Sequence, residues 1–353
     1  MKLLVTGGCG FIGSEVVHMA IARGHDVTNL DALTYAANPA NLSSIDAHQR
    51  YHFIRADLRN LEETQAAIRS ARPDAILHLA AESHVDRSID APSVFVDTNV
   101  GGTANLLQAT RAYRDSLPVD DRDRFRFVHV STDEVYGSLG ETGVFTEASP
   151  YQPNSPYAAS KAAADMLVRA WGKTYGLPVL ITNCSNNYGP FQFPEKLIPM
   201  VILSAIRGRP IPVYGSGENV RDWLHVEDHA DALLRVMESG RCGEIYNIGG
   251  DAELRNIDLV RQLCTLLDEA RPAPQSYSDL ITFVDDRPGH DHRYAIDAGK
   301  ISRELGWRPQ TDPTTGLRKT VDWYLANESW WRDILDNRYG QERLGAGTPV
   351  STS

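Results

Sequence analysis

The run Lys2 to Thr6, followed by Gly7, Gly10 and Gly13, constrains this chain more than any other feature. An apolar run that passes through glycines at three-residue spacing into a helical pattern is a strand–turn–helix unit. Gly7 permits a tight turn, and Gly10 lets backbone N–H groups approach a pyrophosphate. Gly13 lets the helix pack close to the strand, with its positive N-terminus aimed at the same phosphates. Asp31 closes the second apolar run, about 18 positions after the last glycine, where a carboxylate grips a ribose diol and repels a 2′-phosphate. Asp57 follows the third run; it can receive an adenine amino group or cap a helix, and the spacing does not choose between them.

The pattern of the first unit repeats. Strands are expected at Lys2 to Thr6, Asp26 to Leu30, His52 to Arg55, Ala75 to Leu79, Phe125 to Ser131 and Pro178 to Thr182. Between them, helices are expected at 11–23, 61–71, 93–114 and 156–175. Continuous apolar runs such as AILHLAA and FVHV suit parallel strands covered on both faces, so the alternation implies right-handed βαβ units and a doubly wound α/β sheet. After Tyr188-Gly189-Pro190 the prolines at 190, 194, 199, 210 and 212 break this texture. Helices are expected at 196–207, 226–239, 257–269 and 315–325, with a short strand in 243–250. The expected division is 1–189 for dinucleotide binding, with segments near 222–250 returning to it, and 190–335 mainly for substrate. A disordered tail is expected over 345–353.

The charge sum is −11 over 353 residues. An acidic balance of that size argues against a nucleic-acid binder, though a local basic pocket remains compatible with it. No apolar stretch approaches the roughly 18 residues that span a bilayer, and no secretory leader is read at the start. Cys9, Cys184, Cys242 and Cys264 are scattered, which suits reduced thiols and a cytoplasmic setting. The His290-Asp291-His292 cluster lacks a third ligand at metal-binding spacing, so no metal is expected. Trp330 and Trp331 are expected to be packing anchors.

Tyr157 and Lys161 stand one helical turn apart in SPYAASK and project from one face. A phenol needs help to act as a base near neutral pH, and a cation one turn away supplies it. The fifth strand runs into Ser131-Thr132-Asp133-Glu134, at the strand ends where ligands bind in such sheets. Two adjacent carboxyls there divide into an acid and a base if their surroundings push their pKa values apart; an N-cap acid beside a solvated glutamate is the equal alternative.

The segments TGGCGFIGS, LAAESHVDRS, STDEVYG, SPYAASK, NNYGPFQFPEKLIP and DDRPGHDHRY, in that order, resemble the nucleotide-sugar dehydratases of the extended short-chain dehydrogenase superfamily. The resemblance covers residues 1 to about 330. Cys9 stands where such chains often have alanine, a small change. The resemblance implies a Rossmann sheet with a smaller C-terminal substrate lobe. It also implies a homodimer through a four-helix interface, bound NAD, and a dTDP-glucose-type substrate that is oxidised at C4, dehydrated across C5–C6 and reduced at C6. Tyr157, eased by Lys161 and Thr132, takes the 4-hydroxyl proton, Glu134 the C5 proton, and Asp133 protonates the leaving 6-hydroxyl. Cofactor contacts are implied at Phe11, Ile12, Asp31, Ala32, Leu33, Thr34, Asp57, Leu58, Thr98 and Asn187. Leu79, Ala80, Ala81 and Ser83 would line the nicotinamide side, with Ser83 reaching the sugar. The grip on the nucleotide diphosphate is implied at Asn186, Lys196, Leu197, Pro212, Val213 and Tyr214, and at Arg221, Asn256, Arg287 and His290.

Overall fold

Seven parallel strands form the centre of the computed structural model, which describes residues 1–341 and 344–345. They are β1 (Lys2–Thr6), β2 (Asp26–Asp31), β3 (Tyr51–Arg55), β4 (Ala75–His78), β5 (Arg126–Thr132), β6 (Val179–Cys184) and an edge strand, Ile245–Ile248. The spatial order is edge strand, β6, β5, β4, β1, β2, β3. The chain therefore reverses direction across the sheet between β1 and β4, and the strand ends splay there into a crevice. Leu3, Leu4, Val5, Ile76, Leu77 and Val128 are almost wholly buried, because helices cover both faces.

The helices Phe11–Ala22 and Val226–Ser239 pack on one face, and Leu61–Ala71, Thr103–Asp115 and Pro156–Tyr175 lie on the other. The single helix expected over 93–114 is present over 92–115, but its middle is wound more widely than an α-helix. Pro92–Phe95 leads into a wide turn, Val96–Gly102, before the regular helix resumes at Thr103. Within that turn Asn99 points inward: its Nδ2 donates to Glu82 O at 3.0 Å and to Ser160 Oγ at 2.9 Å, and its Oδ1 accepts from Glu82 N. Those bonds account for a widened turn where the apolar pattern alone reads as continuous helix.

A second core forms around the helices Leu197–Ile206, Asn256–Ala270, Pro313–Ala326 and Glu328–Asn337. Two small sheets accompany it, Glu253–Arg255 with Val220–His225 and Asn186–Tyr188, and Ile211–Tyr214 with Ile281–Val284. Trp331 is buried in this core, and Trp330 Nε1 donates to Asn41 Oδ1 at 2.9 Å, so both indoles pack. Of the stretch expected to be disordered, Gly345 N donates to Asp90 at 2.9 Å and 346–353 lie outside the described residues. Among the described residues no helix is long and apolar enough to cross a membrane.

Candidate active site

The glycine turn is closed by its own backbone. Gly10 N donates to Gly7 O at 3.1 Å and Gly7 N to Leu30 O at 2.8 Å, with Gly7 at φ +74°. A Cβ on Gly13 would stand 2.1 Å from Gly7 O, so only hydrogen fits where helix meets turn. Asp31 accepts from Cys9 N at 2.9 Å on one oxygen and from Leu33 N at 2.8 Å on the other. Burial pushes its pKa up while those two N–H groups pull it down, and each oxygen keeps a lone pair for a hydroxyl donor.

A continuous cleft begins at this turn and runs along the strand ends. Gly7, Gly10, Phe11, Ile12 and Gly13 form its floor, with Asp31, Ala32 and Thr34 on one rim. Asp57, Leu58 and Thr98 continue it, and Leu79, Ala80, Ala81 and Ser83 lead to Thr132, Glu134, Tyr157 and Lys161. Asn186, Asn187 and Lys196 close the far end. Leu33 faces the cleft only through the turn that its N–H makes with Asp31. The Asp57 carboxylate is chelated by Arg59, Nη2 at 2.6 Å, and the cap of the next helix is Asn60.

Tyr157 occupies the first turn of Pro156–Tyr175, which is started by Pro156 and capped by Ser155 Oγ accepting from Ala158 N at 3.1 Å. Burial and the nearby Glu134 carboxylate push the phenol pKa well up, and a hydrogen bond with Thr132 opposes them. Lys161 is buried beneath it, and its Nζ donates to Val130 O at 2.8 Å. Lys161 is thus anchored to the strand below, and among the groups that act on the phenol Thr132 is the one that draws its pKa down. Burial lowers the lysine pKa, and Asp165 one turn further along counters it.

Asp133 and Glu134 begin the turn after β5 and face different surroundings. Asp133 is buried, accepts from Thr132 Oγ1 at 3.3 Å, and leaves its Oδ2 without a partner. Burial, then Glu134 and Asp222, push its pKa well above the usual carboxylate range. Asp133 is not among the residues that line the cleft, though its neighbours Thr132 and Glu134 are. Glu134 lines the cleft; burial raises its pKa too, and Arg287, Arg221 and Lys196 offset only part of that rise. Both carboxyls are pushed up, Asp133 the further of the two, and a pair set apart in this way can divide into an acid and a base.

Those three cations have fixed anchors. Lys196 Nζ donates to Ser83 O at 2.7 Å, and Arg221 Nη2 donates to Asp291 O at 2.9 Å with its guanidinium 4.2 Å from the Tyr294 ring centre. Arg287 Nη1 pairs with Asp86 Oδ1 at 2.5 Å, and Tyr214 OH donates to Asp86 Oδ2 at 3.0 Å. His290 is held by Asp286 at 2.7 Å, and burial with the two arginines lowers its pKa to about 4. Pro212 and Val213 share the strand of Tyr214, but the Val213 side chain is buried in the second core, where Leu197 also packs. Asn256 opens its helix with an unpartnered Oδ1. Asp86, Glu82 and Glu195 belong to this region, and the sequence reading passed over them; the charged spacing in ESHVDRS and PEK was the available signal.

A family model described as GDP-mannose 4,6 dehydratase matches residues 4–320. A probable dTDP-glucose 4,6-dehydratase of Sinorhizobium fredii is 55% identical over 345 residues, covering 98% of this chain and 99% of its own. The dTDP-glucose 4,6-dehydratase of Neisseria meningitidis is 55% identical over 352 residues, again 98% and 99%. Among solved structures, a dTDP-glucose 4,6-dehydratase from Streptomyces venezuelae with NAD bound superposes with a TM-score of 0.86 at 48% identity, covering 95% and 100% of the two chains. A UDP-glucose 4-epimerase from Thermus thermophilus, also with NAD, reaches 0.82 at 31% identity over 93% and 100%. With full-length identities above half, the chain belongs to the nucleotide-sugar 4,6-dehydratase family, in the branch of the dTDP-glucose 4,6-dehydratases.

Proposed function

We propose that this protein converts dTDP-glucose to dTDP-4-keto-6-deoxyglucose and water on one bound NAD. The observation that carries the reading is the split Asp133–Glu134 pair beside Tyr157: an alcohol oxidation or a 4-epimerisation needs the phenol and has no use for a second acid and base. NAD suits the cleft, because the Gly13 position admits no side chain and Asp31 presents two oxygens to a ribose while repelling a 2′-phosphate. Gly7 to Gly13, Asp31 and Thr98 would hold it, Tyr157 and Lys161 would meet its reactive end, and it supplies the acceptor and donor of a hydride.

Tyr157 takes the proton of the sugar 4-hydroxyl; the positive nicotinamide ring of bound NAD would offset the burial and the Glu134 charge that otherwise keep the phenol protonated. Oxidation at C4 acidifies the C5 hydrogen, which Glu134 removes, its three neighbouring cations easing the ionisation that burial opposes. Asp133, protonated in its buried position, gives its proton toward the departing C6 hydroxyl. Arg221 and Arg287 face the diphosphate, where charge-assisted bonds favour guanidinium groups. The unpartnered Asn186 Oδ1 and Arg287 Nε support a polar ligand at this end.

The test is isotopic. Substrate deuterated at C4 should deliver its label to the C6 methyl group, and unlabelled substrate in heavy water should become labelled at C5. Deuterium returned to C4 identifies an epimerase, and label lost to solvent refutes the closed cycle. We also infer a cytoplasmic homodimer. The four cysteines are free, and Val94, Val96 and Met166 are exposed on the packed segments 92–102 and 156–175, an apolar surface that a second copy would cover. A light-scattering mass near 39 kDa would overturn the dimer.

A further inference from the structure

Three polar side chains outside the reacting cluster meet where the two ligand sites adjoin. Tyr35 follows the Asp31 turn and stands next to Thr34 on the cleft rim. Arg87 belongs to the short helix Val85–Asp90, just after Ser83. Glu195 immediately precedes Lys196. The Tyr35 hydroxyl donates to Glu195 Oε1 at 3.0 Å and Arg87 Nε donates to Oε2 at 2.7 Å. The Arg87 guanidinium also stacks 3.9 Å from the centre of the Tyr35 ring, and His84 Nε2 lies 3.2 Å from Glu195 O. The Glu195 side chain is only 1% exposed.

A buried carboxylate with both oxygens occupied fixes the segments that supply its donors, because losing either donor leaves a desolvated lone pair. Each segment here also carries a ligand-facing residue: Thr34 on the ribose rim, Ser83 in mid-cleft, and Lys196, whose Nζ grips Ser83 O. We propose that Glu195, clasped by Tyr35 and Arg87, is a positioning residue that acts through Lys196, so that ordering the ribose rim also orders the cation facing the nucleoside diphosphate. NAD and nucleoside diphosphate then tighten each other's binding, by the same factor in both directions. The proposal rests on the ligands assigned under Proposed function.

The experiment measures the dissociation constant of thymidine diphosphate by calorimetry, on NAD-stripped and NAD-saturated full-length protein, for the wild type and Tyr35→Phe. The substitution removes one oxygen and changes no charge. The expected wild-type tightening by NAD is about fivefold or more, the lower end of ordinary coupling. In Tyr35→Phe it falls below about twofold, while affinity for the diphosphate without NAD stays unchanged. Arg87→Lys keeps the charge, loses the stacking and the fork geometry, and lowers the ratio as well. A purely structural defect would weaken both affinities and leave their ratio intact; that result, or a wild type without linkage, overturns the clasp. Failure of the wild type to bind the diphosphate at all would instead overturn the ligand assignment.

Discussion

Replacing Asp165 with asparagine should make the protein more stable, and by an amount that depends on pH. Asp165 lies one turn beyond Lys161 on the Pro156–Tyr175 helix and is wholly buried. Ser131 Oγ and Tyr151 OH donate to its Oδ2 at 2.8 and 3.0 Å, and His129 Nε2 sits 3.1 Å from Oδ1. Burial pushes its pKa from 3.8 to about 7, against the pull of Lys161 and the two hydroxyls. His129 is held neutral by burial and so offers no full charge. The unfolded chain releases this proton near 3.8, but the folded chain keeps it to about 7. Between those values the folded state binds more protons, so stability falls as pH rises, by up to ~1.4 kcal/mol per unit. Asparagine removes that slope, and its amide oxygen still accepts from Ser131 and Tyr151. Urea unfolding at pH 5 and pH 8, followed by tryptophan fluorescence, should show the stability gain of Asp165→Asn increasing by about 3 kcal/mol between the two. An equal gain or loss at both values would refute the reasoning.

Tyr157→Phe should lower kcat by about 10²–10⁴ while NAD affinity, read by calorimetry, stays at the wild-type value. Glu134→Gln spares the oxidation step, so reduced cofactor should accumulate on the enzyme and show its near-ultraviolet absorbance; turnover at the wild-type rate would exclude Glu134 as the C5 base. Asp133→Asn should keep C5 exchange in heavy water and lose product, because proton removal and loss of water depend on different carboxyls. Gly13→Ala drives a Cβ into Gly7 O and should cost about 1–3 kcal/mol in urea unfolding together with NAD affinity.

The sheet was legible because most of its strands are apolar runs with glycine or acid at their ends, and β1 to β6 all fall within two residues of the expected limits. The glycine turn, Asp31, Tyr157 and Lys161 were legible because each requires a fixed local spacing. The widening of the helix at Val96–Gly102 was not, since it follows from where Asn99 finds partners, on Glu82 and on Ser160 of another helix. The strand Ile211–Tyr214 was hidden by its prolines, and it is held by pairing with Ile281–Val284, far along the chain. Lys161 bonding Val130 O, and Glu195 bonding Tyr35 and Arg87, join residues that no periodicity connects.

Two neighbouring carboxyls of nearly equal intrinsic acidity can serve as acid and base only if the backbone sends them into unlike surroundings. The tight turn Asp133–Tyr136 does this at the end of a buried strand. Thr132 accepts from Glu134 N and fixes the turn, while Asp133 turns inward toward Asp222, whose own carboxylate is tied to Gly250 N and Ala252 N. An anion fixed at that place makes ionising Asp133 harder still. Glu134 lines the cleft, where Arg287, Arg221 and Lys196, all from segments around the second core, pull its pKa back against burial. Asp222 and Arg221 are neighbours on Val220–His225, so a single strand presents an anion to Asp133 and a cation to Glu134. On the proposed assignment of those cations to the diphosphate, binding the nucleotide would draw positive charge away from Glu134 and raise its proton affinity as the sugar arrives.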